Sequence, residues 1–294
     1  MNKAKLRTTL TPYLFLAVPV IIYMIWVIGP MFYSFYLSLT KWDGFSAPQF
    51  IGLANFRRLI TDPVFYTSLW NNLEWIAVFM TIPIVMGLFI AMSLNRDIPG
   101  SKFFKACFFA PMVLSLVVSG LVWSWLYNPG SGLINTVLRQ VGLGDLARGW
   151  LSEPEVVMEA VITVAVWRQV GYVMVLYLAG LQSIDRNLID ASHVDGANAV
   201  QRFFNVILPQ LAPVTVVVIV ISIIDSLRAF DLVSVMTRGG PFNSSSVLAN
   251  YMYIQAFNNY RMGYGAAISV VLFMISAAFI VFYLTRIVRE ETNG

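Results

Sequence analysis

Apolar positions dominate this chain in long charge-free blocks, and charged residues are confined mainly to the stretches between them. The first block runs from Thr8 to Thr40, between Arg7 and Lys41. It is too long for a signal-peptide core, and no small-x-small cleavage site follows it. A membrane-spanning helix needs roughly 20 apolar residues. The pattern predicts six of them, within 13–37, 75–94, 106–127, 156–181, 214–235 and 264–285. Pro19, Pro30, Pro83 and Pro111 fall inside these spans and predict kinks, because neighbouring helices can satisfy the carbonyls that proline frees. The third span should end at Asn128-Pro129-Gly130. Between spans, the segment around Ala54–Ile60 and the segment Leu133–Val141 read as short helices lying at the headgroups.

The composition agrees with lipid as the solvent. Only 12% of the 294 residues are charged and 58% are apolar, against roughly 25% and 45–50% in ordinary soluble domains. Disorder, nucleic-acid binding and a disulfide scaffold are excluded by the same numbers. The single cysteine, Cys107, cannot form an internal disulfide, and the single histidine, His193, argues against zinc chemistry or a histidine-based triad. Cations outside the spans number ten on one side and seven on the other. The cluster Lys3, Lys5 and Arg7, with no acid before the first span, decides the orientation: both termini inside.

The longest inner loop, 182–211, has helical grammar. Ser183 can cap a helix running to His193, and Gly196 sits where a left-handed residue would end it. Asn198 can cap a second helix with Gln201 in the capping-box position, running through Phe203 and Phe204 to Leu208 and stopping at Pro209. Asp185, Asp190 and Asp195 recur every five residues, the wrong spacing for a Mg²⁺-holding turn. A short helix that offers apolar and acidic groups together is a docking element.

Charges also occur at mid-depth. Arg168 lies in the middle of the fourth span and Asp225 in the middle of the fifth. Because an intramembrane charge costs roughly 2.5–3.5 kcal/mol on insertion scales, the two predict facing partners or a shared wet cavity. An ion pair that only fixes helix packing is the alternative. Ala165, Gln169 and Tyr172 fall on one face around Arg168, and Ser222, Ser226 and Ala229 do so on the fifth span, with Asp225 and Arg228 beside them. Such a polar, aromatic-edged surface suits a sugar.

The run Ile189-Asp190-Ala191-Ser192-His193-Val194-Asp195-Gly196-Ala197, followed by Phe203 and Ile207-Leu208-Pro209, resembles the EAA loop of permeases of binding-protein-dependent ABC importers. Asp190 stands where the family usually has Glu, and Ser192 where it has its second Ala. Thr11-Pro12-Tyr13, the stretch Phe50–Phe56, Thr237-Arg238-Gly239-Gly240-Pro241 and the stretch Asn258–Ser269 are similar to the carbohydrate branch, of maltose and glycerol-phosphate type. The resemblance implies an all-α integral membrane protein, a single transmembrane domain over 1–294 with the type I importer fold, in the inner membrane of a prokaryote. It implies a substrate path along Ala165, Arg168, Gln169, Tyr172, Ser222, Asp225 and Ser226. It further implies that Asp190, Ala191, Ser192, His193, Asp195, Gly196, Ala197 and Phe203 couple to an ATPase. The implied partners are a second homologous permease, an ATPase dimer, an external solute-binding protein and a sugar. No G-x-x-x-x-G-K-[ST] loop is present, so ATP and Mg²⁺ belong to the ATPase partner, and this chain is no enzyme and holds no cofactor. A motor-free secondary carrier or channel is the rival; it would predict an inverted internal repeat, and none is evident.

Overall fold

The computed structural model describes residues 13, 15–95 and 99–293. The cations Lys3, Lys5, Arg7 and Arg96, and the Thr11-Pro12 pair, lie outside the described residues. By internal packing the chain divides into two units, one made of 1–62 with 252–277 and the other of 63–251 with 278–294.

In the first unit, α1 is Phe15–Ser38, and no part of its most apolar stretch is buried. Pro30 cannot donate to the preceding turn, and the helix widens into a π-turn at Met24–Ile28 just before it. After Ser38 the chain forms a small hairpin. Strands β1 (Thr40–Lys41) and β2 (Gln49–Phe50) pair antiparallel, Thr40 opposite Phe50. Helix α2, Ala54–Ile60, follows. Its Asn55 amide donates to the carbonyls of Ser38 and Thr40 at 2.9 and 2.8 Å, tying the helix to the end of α1.

The second unit opens with α3 (Pro63–Phe79) and α4 (Ile82–Leu94). The expected span 75–94 is therefore the later part of a longer rod. Pro83 sits at the start of α4, where a missing N–H costs little. The third span differs more. Instead of one helix over 106–127 there are α5 (Ser101–Val113) and α6 (Leu116–Leu126), bent by 100°. Pro111 weakens the end of α5, Leu114 turns extended, and the Ser115 hydroxyl caps α6 by accepting from Val118 N–H at 3.2 Å. Helix α7, Leu133–Gln140, lies beyond it.

Helix α8 (Val157–Ser183) is the buried axis of this unit. It packs closely because small residues let backbones approach. Gly171 faces the Phe108 carbonyl of α5, and Gly87 of α4 faces Val173. A methyl group on Gly171 would overlap that carbonyl, and one on Gly87 would overlap the valine side chain.

Between α8 and the fifth span lies an elbow of two helices, α9 (Arg186–Val194) and α10 (Ala199–Gln210). Ser183 is not its cap: α8 runs through Ser183, whose hydroxyl bonds back to Gly180, and Asp185 caps α9 by accepting from Asn187 N–H at 2.9 Å. Gly196 is left-handed, with φ of 76°. Asn198 and Gln201 form the reciprocal capping box, each bond at 2.9 Å. Pro209 does not stop α10. A π-turn at Phe203–Ile207 absorbs the proline's missing donor, and the bend of 67° comes after Gln210.

The fifth span is α11 (Ala212–Leu227) and α12 (Asp231–Met236), interrupted at Arg228–Phe230 rather than continuous over 214–235. Helix α13 is Leu248–Tyr253, and α14, the sixth span, is Met262–Asn293.

Candidate functional site

Two helix interruptions face one cavity. The α5–α6 break contributes Met112 and Leu116, and the α11–α12 break contributes Arg228, Ala229 and Phe230. Helix α8 adds Ala165, Arg168 and Gln169; α3 adds Trp75 and Phe79; Asp225, Asp231 and Leu232 complete the wall. The cavity measures about 310 Å³, at the lower end of the size that takes a small ligand. Non-helical backbone within a span is tolerated where it is buried in protein or lines a polar cavity, and both breaks border this one.

Arg168 is held by the break itself. Its Nε donates to the Leu114 carbonyl and its Nη2 to the Met112 carbonyl, both at 3.3 Å. These carbonyls end α5 and have no helical partner of their own. A guanidinium at a helix C-terminus also suits the local dipole. Arg168 and Asp225 share the cavity, and Asp225 lies within electrostatic reach of both Arg168 and Arg228. Gln169 is only 5% exposed and its side chain lies beside the Asp225 carboxylate, while the Trp75 indole nitrogen, on a side chain 3% exposed, has no hydrogen-bond partner. A buried donor without a partner on the wall of a polar cavity is costly unless a ligand or water meets it.

Of the expected path residues, Ala165, Arg168, Gln169 and Asp225 line this cavity. Ser222 and Ser226 are fully buried away from it. The Ser226 hydroxyl donates to Ser222 O at 2.6 Å, and Ser226 O accepts from Asn72 at 3.0 Å, so this face of α11 packs on α3. Tyr172 is half-buried and is not among the lining residues. Sequence reasoning missed Trp75, Phe79 and Asp231. The aromatic pair sits in an apolar run where nothing marks a face, and Asp231 follows a break that an unbroken helix hides.

In the elbow, Asp190, Ala191, His193, Asp195 and Gly196 are exposed, and Ala197 and Phe203 are half-buried. Ser192 is buried, its hydroxyl donating to Ile189 O at 2.6 Å. The His193 Nδ1 and Arg202 Nη1 atoms lie 3.0 Å apart, joining α9 to α10. Ile184, Ile189 and Ile207 fasten the elbow to a core with Leu178, Leu181 and Leu211. The tip presents Val194, 87% exposed, among the acids. Among the described residues, no group of three or more His, Cys, Asp or Glu could hold a metal ion.

Two broken spans thus meet at a polar cavity in a chain with several helices long and apolar enough to cross a membrane. The chain belongs to the family of binding-protein-dependent transport system inner membrane components, whose model matches residues 83–292. It is 37% identical over 275 residues to a probable ABC transporter permease of Bacillus subtilis (strain 168), covering 92% of this chain and 94% of the relative. It is 34% identical over 270 residues to a xylose/arabinose import permease of Haloferax volcanii, covering 91% and 84%. Among solved structures it resembles a bacterial ABC transporter involved in the import of the acidic polysaccharide alginate, with a TM-score of 0.85 and 21% identity over 97% of this chain and 98% of that one. The fold is that of type I importer permeases. As a permease the chain is the transport subunit of its system, and ATP hydrolysis belongs to a separate subunit.

Proposed function

We propose that this protein forms half of the path by which an ATP-driven importer moves a sugar or oligosaccharide across the prokaryotic inner membrane. The observation that carries the reading is the meeting of two broken spans at one polar cavity, with the buried donors of Gln169 and Trp75 on its wall. Sugar hydroxyls supply acceptors for those donors, and Trp75 and Phe79 supply ring faces. The relatives' sugar-import names support the substrate class.

An external binding protein delivers the sugar, and a second, similar permease completes the cavity. Both termini face the cytoplasm, which places the elbow 182–211 there. Asp190, Val194 and Asp195 then dock on one ATPase of a pair that binds ATP and Mg²⁺. ATPase closure pushes the elbow and rocks the bundle between outward- and inward-facing states. Coupling requires that sugar arrival and ATP closure favour the same state.

Two variants test this in membranes of the native host. Asp225→Asn should lower sugar uptake by roughly tenfold, the scale of one lost charge-assisted hydrogen bond, while the complex still assembles. Asp190→Lys should leave insertion intact but reduce co-purification of the ATPase and sugar-stimulated hydrolysis. Wild-type uptake in the first and wild-type ATPase coupling in the second would overturn the two halves of the proposal separately.

A further inference from the structure

A second cavity, of about 560 Å³, lies entirely within the first unit, between the hairpin, α2 and the start of α14. Its depth is fixed by its neighbours. Thr40 and Lys41 follow the end of α1 at Ser38, and Tyr260 and Arg261 directly precede the start of α14 at Met262. Both of those helices are long and apolar enough to cross a membrane. Gly263 N–H donates to Trp42 O at 3.2 Å, binding the two helix ends together. The cavity therefore stands where two spans leave the hydrocarbon, at headgroup level.

Its charge is one-sided. Lys41, Arg58 and Arg261 line it against a single lining carboxylate, Asp43. Asp43 is already engaged: its Oδ1 accepts from Ser46 N–H, Phe45 N–H and the Ser46 hydroxyl at 2.8, 3.0 and 2.8 Å. Those bonds, the Ser46 N–H first, pull its pKa down to about 2, so it serves the hairpin turn as an anion. The Arg58 guanidinium lies over the Tyr264 ring at 4.4 Å, which orients it. Of the other polar groups, the Trp42 indole donates to Ser46 O at 2.7 Å, Asn55 to Ser38 and Thr40, and the Tyr264 hydroxyl to Asp62 beside the cavity. The wall therefore carries three cations against one hydrogen-bonded carboxylate, and keeps an excess of positive charge.

The surroundings select the source of that anion. Phe45, 84% exposed at the hairpin tip, lies against Tyr260 with ring centroids 5.7 Å apart, and Phe50 and Leu53 are exposed nearby in the chain. Aromatic and aliphatic groups beside a cationic cavity at the end of a span match a lipid, with chains on the apolar groups and a phosphate among the cations. We infer that the cavity walled by Lys41, Arg58 and Arg261 is a binding site for the phosphate of an anionic phospholipid.

The test is native mass spectrometry of the complete transporter, extracted from nanodiscs holding equal phosphatidylglycerol and phosphatidylcholine. Wild type should retain phosphatidylglycerol preferentially. Lys41→Gln should reduce that preference by about fivefold, the effect of one cation near a charged headgroup, and Lys41→Arg should restore it. Arg261→Gln is the second neutralisation, in case the first acts through folding. An unchanged preference in both neutral variants would overturn the inference. Displacement of the lipid by free glycerol phosphate at the same concentration as by short-chain phosphatidylglycerol would also overturn it, because the site would then serve a soluble anion. Sugar-stimulated hydrolysis, measured on the same samples, reports on the transport reading independently.

Discussion

The elbow and the mid-depth cavity lie in the same unit and are held by opposite means. The elbow is made of neighbours in sequence: Asp185 caps Asn187 two residues on, Asn198 and Gln201 cap each other, and Gly196 turns the chain in open space. The cavity is made of strangers: α3, α5, α6, α8, α11 and α12 contribute walls from positions as far apart as Trp75 and Leu232. Local construction gives the elbow a shape that survives displacement, which suits an element pushed from outside. Long-range construction makes the cavity's shape depend on how the helices sit, which suits a chamber that must change when they rock.

One substitution made in both places separates the two modes. Gly171→Ala drives a methyl into the Phe108 carbonyl, and backbone cannot give way as a side-chain tip can. Overpacking of this kind costs about 3 kcal/mol, and the purified protein should lose several degrees of thermal stability together with uptake. Stability equal to wild type would mean that α5 and α8 are not in close contact.

Gln169→Leu probes the chamber's chemistry. The amide sits beside Asp225, and replacing it with an apolar group of similar size should cost no more stability than one hydrogen bond, about 1 kcal/mol. Uptake should nevertheless fall roughly tenfold, because the ligand loses a donor. Parallel loss of stability and uptake would show the residue to be structural.

The elbow should respond least. Gly196→Ala meets no atom within 4 Å, so only the left-handed backbone is penalised, by about 1 kcal/mol. Hydrogen exchange should quicken across 185–202 and stay unchanged in α8. A global loss of stability would show that the elbow is not locally built.

The same contrast explains what could be read from the sequence. The Asn198–Gln201 capping box, the glycine turn and the Leu133–Gln140 helix follow from short-range rules, and the structure contains each of them. Ser183 deceived because a serine at a helix end can bond backward to Gly180 as readily as forward. Arg168 and Asp225 announced a wet site because charge at depth needs a reason. The serines at 222 and 226 misled because a small polar residue inside a membrane packs helices as often as it greets a ligand. The two breaks were hidden, since Pro111 could have kinked an intact helix and nothing before Arg228 marks an interruption.

The hold of Arg168 on Met112 and Leu114 has a mechanical meaning. A snapped rod ordinarily transmits no load, yet here a tie-bar from an adjacent rod clamps the open end at two points. Strain entering α8 from the elbow can thus reach α5 across a joint with no covalent continuity, and the same clamp stands inside the chamber whose shape that strain would alter.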